Sequence, residues 1–567
     1  MPLGMAERTL GQCFVCVPSR DLAAPERRLV DLPPQHHPGP RTGGLQRSEG
    51  RGHVPILAKK TGAPRSALYR GAVSDHHDSD TPDVSAENPI SDSWVWVGTH
   101  RPPIPRALVD YMTGQWEEIV IDRGIHPAAA ACAVRRSTLA EAFPGATIVV
   151  PTGSFKVRAN DTDFRFRPGS DFFWLTASHE PDGVLVLTPE PSGVSAVLFV
   201  EVGGDHSTHR FFTDAQYGEL WTGRRPTLEE TSHHLGITAQ SKDDLAKVLA
   251  DATGEVLVLR GYDAAVDAAV APAEDDALLA STLSELRLVK DAYEVARLQD
   301  AVDATVLGFE DVVRALPAAE GRGERVIEGI FNLRARVDGN DVGYSTIAAS
   351  GSHATILHWT HNDGAVRSGD LLLLDAGVEC ADLYTADVTR TLPISGRFSP
   401  AQRRLYELVL AAQEAGIAAV QPGAKFIDPH NAAMEVLAKG LIELGILEDV
   451  GEEATLPTTQ LHRRYTLHGT SHMLGIDVHD CAHARNEFYG GELKSGYVLT
   501  VEPGLYFQPN DLTVPEEFRG IGIRIEDDVL VTEDGNVVLS AALPRDPDAI
   551  EAWMHDLFAK PQPNLGL

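Results

Sequence analysis

Nowhere in its 567 residues does this chain carry the apolar run of roughly 18 residues that a membrane-crossing helix needs. Its first thirty residues lack the hydrophobic stretch and small-residue cleavage site of a secretory leader. Cysteine is scarce, with five in all: Cys13, Cys16, Cys132, Cys380 and Cys481. Five cysteines make no disulfide framework. The single C-x-x-C, Cys13 to Cys16, has no second pair and no strand–helix setting, so reduced thiols are expected rather than a zinc or redox site. Positive charge is in deficit, 49 Lys and Arg against 81 Asp and Glu, for a formal charge of −32. That balance argues against nucleic acid or an anionic membrane as partner. A cytoplasmic protein with a solvated acidic surface is what these absences leave.

What is present is ordinary for a globular protein, 43% hydrophobic and 23% charged. The length exceeds one compact core, so two domains with additional segments are expected. Residues 1–70 stand apart, with eleven Lys and Arg against five Asp and Glu around the Pro/Gly/Arg-rich "DLPPQHHPGPRTGGLQRSEGRG". They show no apolar periodicity, and the acidic "VSDHHDSDTPDVSAENP" that follows shows none either. Residues 1–100 therefore read as a disordered extension or as the product of a start placed too far upstream, with Val73 or Met112 as the beginning. From about 105 the pattern changes. "RALVDYMTGQWEEIV" has helical spacing, and "ATIVVPTG", "DGVLVLTP", "SAVLFVE" and "GEVLVLRG" read as strands, the middle pair as a hairpin. This is an α/β domain over 105–287. The amphipathic helix of 291–316 then opens a second domain over 288–555, with 556–567 as a tail.

The second domain delivers acids on apolar strands. "LLLLDAG" ends on Asp375, on one face with Leu373 and Leu371. "YTADVTRT" puts Asp387 with Thr385 and Thr389, and "VLTVEPG" puts Glu502 with Thr500 and Val498. "GIGIRIEDD" alternates Ile521, Ile523 and Ile525 on the core face with Arg524 and Glu526 opposite. One such acid is usually an ion-pair member; four in one region, with a single Arg524 to offset them, become stable together around cations. Between them lies "HGTSHMLGIDVHD", with His468, His472 and His479, and earlier "TILHWTHND" supplies His358 and His361. The pattern is not H-E-x-x-H, and Gly469 and Gly475 oppose a helix. At most one or two of these imidazoles can reach a common metal pair; the others would bind substrate or an oxyanion. Four carboxylates and an imidazole suffice for two ions about 3.5–4 Å apart, and the oxygen-rich set favours Mn²⁺, with Co²⁺ or Fe²⁺ as alternatives.

Taken together, "TILHWT", "LLLLDAGVE", "YTADVTRTLPISGRFSPAQRRLYELVL", "HGTSHMLGIDVHD", "VLTVEPGLYF" and "RGIGIRIEDDVLVT" resemble the bacterial aminopeptidase P family of Xaa-Pro aminopeptidases, pita-bread metallopeptidases related to prolidase and methionine aminopeptidase. "RANDTDFRFRPGSDFFWLTASHEPDGVLVL" and "LWTGRRP" resemble the creatinase-like N-terminal domain of that family, so the likeness spans roughly 125–555. The fold it implies is α/β (α+β), a creatinase-like domain followed by a pita-bread domain. The resemblance implies Asp375, Asp387, His472, Glu502 and Glu526 as ligands of two divalent ions, with Asp387 and Glu526 bridging. It implies His358, His468 and His479 as histidines that hold the substrate and the tetrahedral intermediate, Glu502 as proton shuttle and Arg524 as support. Trp221 corresponds to a tryptophan that closes a neighbouring subunit's site in tetrameric members, so a homotetramer or dimer is expected. Peptides with proline second would be the substrates. The segment between Asp375 and Asp387 is one residue longer than the bacterial pattern, which a longer hairpin loop absorbs. A prolidase is the nearest alternative. A methionine aminopeptidase usually lacks the 125–285 domain, and a silent binding module or creatinase-like amidinohydrolase would lose ligands that all stand here.

Overall fold

A run of β-branched and aliphatic residues flanked by turn formers favours extended chain, and the computed structural model puts strands at each such run. It describes residues 94–95, 103–191, 193–448, 459–484 and 490–560, all within the unit Asn88–Leu567. Apart from Trp94–Val95, the readings for residues 1–100, Cys13–Cys16 included, lie outside the described residues. Helix α1 spans Arg106–Thr113, so Met112 falls inside it.

The first half is a five-stranded sheet. Strands β1 (Thr147–Pro151), β2 (Val184–Glu190), β3 (Gly193–Val200), β4 (Thr238–Ser241) and β5 (Val256–Val258) lie in the order β4-β3-β2-β1-β5. The expected hairpin β2–β3 is antiparallel, while β1–β5 and β3–β4 are parallel. Helices α2 (Ala129–Ala142) and α3 (Ser170–Thr176) pack on it. Every residue of α3 is buried, Phe172, Phe173 and Trp174 among them. Helix α4 (Asp276–Leu288) leads out of this half.

Helix α5 (Ala292–Ala319) realises the amphipathic pattern: Leu298, Ala301, Val302, Thr305, Phe309, Val312, Val313 and Leu316 are buried at three- and four-residue steps. It starts where a reciprocal capping box starts it, Asp291 accepting from Glu294 N–H and Glu294 accepting from Asp291 N–H. Helices α6 (Glu324–Asp338), α7 (Pro400–Ala419), α8 (Asp428–Glu443) and α9 (Pro547–Phe558) complete a helical cover. Against it lie two three-stranded antiparallel sheets. One is β7-β8-β10, from Ile347–Ser350, Leu371–Ala376 and Val388–Pro393. The other is β11-β14-β15, from Val498–Val501, Asp527–Val531 and Asn536–Val538. Two short antiparallel ribbons accompany them: β6 (Asp341–Val342) with β9 (Val378–Glu379), and β12 (Gly504–Tyr506) with β13 (Gly522–Arg524).

Helices and strands of the second half share one core, from Phe309 and Phe331 through Leu372 and Leu374 to Leu437 and Leu557. A second cluster runs across the two halves, uniting Phe172, Phe173 and Trp174 of α3 with Leu383, Tyr384, Leu474 and Ile476. No described helix is long and apolar enough to cross a membrane.

Candidate metal centre and peptidase site

The two sheets bring their strand ends to one place. Asp375 faces Thr389 across β8–β10, and Asp387 sits one residue before β10. Glu502 follows β11 immediately, and Glu526 lies between β13 and β14. Three of the four acids thus stand just outside a strand, where ladder pairing stops and the side chain is free to turn inward. Thr389 links the sheets: its carbonyl accepts from Glu526 N–H at 3.1 Å and its hydroxyl donates to Glu526 Oε2 at 2.5 Å. The expected face of Asp387, Thr385 and Thr389 is buried throughout, as are Ile523 and Ile525, with Ile521 partly buried beside the core.

Residues 466–480 are neither helix nor strand; a single bridge, Met473 to Leu499, ties the segment to β11. His472 is fixed by its own backbone, its N–H donating to Thr500 Oγ1 at 3.1 Å and its carbonyl accepting from Thr500 N–H at 3.0 Å. Its Nδ1 lies 3.2 Å from Met473 O, which assigns the proton there and leaves Nε2 facing Asp387 at 3.2 Å and Glu502 at 3.5 Å. Donor atoms of Asp387, His472 and Glu526 all lie within 4.8 Å of one another. Glu502 turns its second oxygen to His468 Nδ1 at 3.5 Å. His479 meets the His472 ring edge-on, centroids 4.3 Å apart.

A chain of polar contacts backs this cluster. Arg524 pairs with Asp375 and donates to Tyr506 Oη at 3.0 Å, and Tyr506 Oη lies 2.7 Å from His468 Nε2. Since Nδ1 of His468 lies 2.8 Å from Gly469 O, the consistent tautomer keeps the proton on Nδ1 and accepts from Tyr506 on Nε2. Tyr344 Oη stands 2.7 Å from Asp375 Oδ1 and 2.5 Å from Asp387 Oδ1. Its one proton serves only one carboxylate at a time.

The electrostatics test whether divalent cations fit. Burial drives Glu526 well above the usual carboxylate range, and Asp387, Glu502 and Asp375 add to the shift. Burial likewise raises Asp375, against the pull of Arg524, and lifts Glu502 to about 7. Asp387 and Glu502 overcome the burial of His472 and raise its imidazole to about 9, a measure of how strongly the cluster attracts positive charge. Burial, with Arg524 nearby, lowers His468 to about 3, and burial lowers His479 as well, so both are neutral donor–acceptor rings. Mutually repelling buried carboxylates plus one imidazole whose Nε2 faces two of them are a donor set suited to divalent ions, which would take the place of the imidazole proton.

Not every expected residue joins the cluster. His358 is exposed and sits in a turn, its influence felt at His468 and His479 as electrostatic repulsion of their charged forms. Trp221 is 58% exposed in the first half, its indole N–H donating to Phe212 O at 2.8 Å. Tyr344, Tyr506 and Asp528 also belong to the site, though the sequence pattern does not single them out. The last is fully buried, accepts from Asp387 N–H at 3.1 Å, and keeps Oδ1 without a partner among the described residues. Only the doubled acid in "IEDD" hinted at it; nothing local marks Tyr344. The hairpin between Asp375 and Asp387 turns through Leu383, a buried residue at φ 66°. So bulky a residue tolerates that conformation only when packing holds it.

Comparison with known proteins agrees with this geometry. Residues 296–533 match the metallopeptidase family M24, and residues 132–257 match the aminopeptidase P N-terminal domain. A relative named Xaa-Pro aminopeptidase 1 from Streptomyces coelicolor is 53% identical over 459 residues, which are 80% of this chain and 93% of that protein. The Xaa-Pro aminopeptidase of Escherichia coli is 34% identical over 453 residues, 74% of this chain and 96% of its own. Among solved structures, aminopeptidase P from E. coli with the inhibitor Pro-Leu superposes with a TM-score of 0.68 at 31% identity, covering 77% of this chain and all of that one. With both its halves matched and its site assembled at the sheet ends, the chain belongs to metallopeptidase family M24, as a pita-bread metalloaminopeptidase of the Xaa-Pro aminopeptidase group.

Proposed function

We propose that the protein hydrolyses the bond between an N-terminal residue and a following proline. The observation that carries this reading is the convergence of Asp387, His472 and Glu526 within 4.8 Å, with Asp375 and Glu502 in the same hydrogen-bonded network. These five would hold two divalent cations. The oxygen-rich set favours Mn²⁺, with Co²⁺ or Fe²⁺ as alternatives. The chemistry such ions supply when bound is Lewis acidity, which acidifies a water and polarises a carbonyl.

The remaining work falls to the protein. Glu502, with one oxygen toward His472 and the other toward His468, accepts the proton of the attacking water and hands it to the proline nitrogen. That nitrogen belongs to a tertiary amide without N–H and must be protonated to leave. His479, neutral, donates to the oxyanion that forms at the scissile carbonyl. The substrate amino terminus sits beside Asp375, and His358 and His468 line the proline pocket. Arg524 holds Asp375 and Tyr506 in place.

The division into domains 105–287 and 288–555 and a cytoplasmic setting, supported by the low cysteine content, belong to the same proposal. So does assembly into a homotetramer or dimer, with Trp221 exposed as a contact between subunits. A sedimentation mass that is multimeric for the natural sequence and drops for Trp221→Ala is the expected result; a monomer in both would refute the assembly. The activity itself is tested by restoring Mn²⁺ to metal-stripped protein and supplying Ala-Pro and Ala-Pro-Leu-Gly. Release of alanine from the tetrapeptide is expected. Cleavage of the dipeptide alone would move the assignment to prolidase, and no cleavage with metal bound would sink it.

A further inference from the structure

The segment that carries His472 and His479 owns almost no secondary structure, yet its two histidines must hold their places. Besides backbone bonds of Leu474 to Val498 and of Gly475 to Thr385, residues 474–480 are anchored by polar and charged side chains from before residue 291. Arg167 Nη2 donates to Ile476 O at 2.7 Å, and its Nη1 lies 3.4 Å from Asp477 Oδ1. Ser170 Oγ donates to the same Asp477 oxygen at 2.6 Å, and Arg287 Nη2 reaches Asp477 Oδ2 at 3.2 Å. Arg287 also pairs with Asp480 and, through Nη1, with Asp171 at 2.7 Å. Lys290 Nζ lies 3.0 Å from Asp480 Oδ2, and the Lys290 and Asp480 side chains are each only 1% exposed. The approach is so close that a Cβ on Gly475 would stand 2.2 Å from Asp480 Oδ2. Apolar contact completes the seat, Leu474 and Ile476 packing in one cluster with Phe172, Phe173 and Trp174.

Arg167 does more than hold one segment. Its Nε pairs with Glu379 Oε2 at 2.7 Å, and Glu379 lies in the hairpin between Asp375 and Asp387. One guanidinium therefore spans the two excursions on which His472, His479, Asp375 and Asp387 depend. Only a planar fork does this, since it offers separate donors to a carbonyl and two carboxylates in fixed directions.

We propose that Arg167, backed by Arg287 and Lys290, is a positioning residue for the peptidase reaction, contributed by the N-terminal half and acting through residues 474–480 on His479. This rests on the peptidase reading of the site. It assigns the first half a part in the chemistry of its own chain.

The test uses the full-length, metal-loaded protein with Ala-Pro-Leu-Gly as substrate and the variants Arg167→Ala, Arg167→Lys, His479→Gln and Arg167→Ala/His479→Gln. Arg167 is one-third exposed, so its truncation opens to solvent rather than leaving a closed core cavity. Expected for Arg167→Ala is a kcat lower by ~10- to 100-fold, with KM and metal content within about two-fold of the natural protein. Lysine should restore only part, because an ammonium keeps the charge and loses the fork. In the His479→Gln background, removing Arg167 should cost less than about two-fold more, the signature of two groups acting as one. Amide hydrogen exchange over 474–480 should rise in Arg167→Ala while that of β8 and β11 stays as it was. An unchanged kcat, a loss of equal size in both backgrounds, or undisturbed exchange over 474–480 would each overturn the inference. If His479→Gln alone leaves kcat intact, the role given to His479 fails, and the exchange experiment still decides whether Arg167 holds the segment.

Discussion

Glu502 shows how one residue acquires two duties. Each of its oxygens faces a different histidine, His472 on one side and His468 on the other. Replacing it by Gln keeps the shape and removes the acceptor. For Glu502→Gln a loss of ~10²- to 10⁴-fold in kcat is expected, with KM little changed and metal still measurable by emission spectroscopy. An activity near that of the natural protein would exclude Glu502 as the proton carrier. The supporting residues are as specific. Arg524 donates to Asp375, Tyr506 and Thr389, so three of its five side-chain donors hold oxygens of the site in place.

Among the elements, the strands of the second half act as rails that end at the site, and their registers decide which side chains meet. The hairpin from β8 to β10 permits no variation at Gly377, where a Cβ would lie 1.6 Å from Ala386 O. Helices serve as ballast and can be tuned without touching the chemistry. Helix α7 opens on a capping box, Ser399 accepting from Gln402 N–H and Gln402 accepting from Ser399 N–H, with Pro400 at its first position. Ser399→Ala should cost about 1 kcal/mol of stability, read by denaturant unfolding, and leave kcat/KM where it was. A fall in activity at unchanged stability would mean that α7 does more than cover the sheets.

Across the whole molecule, the halves are joined by charge as well as by apolar area. Burial works against ionising Asp480, but Arg287 and Lys290 outweigh it and hold its carboxyl down to about 2, below the usual carboxylate range near 3.8. A carboxyl with a lowered pKa gives stability that is complete above its unfolded value and is lost as pH falls toward its folded value. The window here is from about pH 4 down to about pH 2. Asp480→Asn takes the carboxylate from the buried Lys290 ammonium and one of three from Arg287, and should cost about 3–5 kcal/mol near neutral pH. Denaturant unfolding should show the gap between variant and natural protein narrowing only below about pH 4. A gap that shrinks already between pH 7 and 5 would mean that Asp480 does not carry this charge in the folded protein.

The strands at 147–151, 184–190, 193–200 and 256–258, the helix of 291–316, the acid-bearing strand ends and the kinship to aminopeptidase P were legible in the chain, because period-two and period-3.6 patterns are local. The helical spacing of 106–120, by contrast, yields a helix only as far as Thr113. So was the choice of candidates: Asp375, Asp387, Glu502 and Glu526 are costly where they stand unless something cationic meets them. Period two tells which face a side chain takes and nothing about what lies opposite. The sharing of Tyr344 by Asp375 and Asp387, the hold of Asp528 on the Asp387 backbone, and the reach of Arg167 to Ile476 join residues far apart in sequence. Only the tertiary structure decided these contacts, since they follow from how the two sheets and the first half close on one another. Closing leaves each buried donor and acceptor to find its partner in space rather than along the chain.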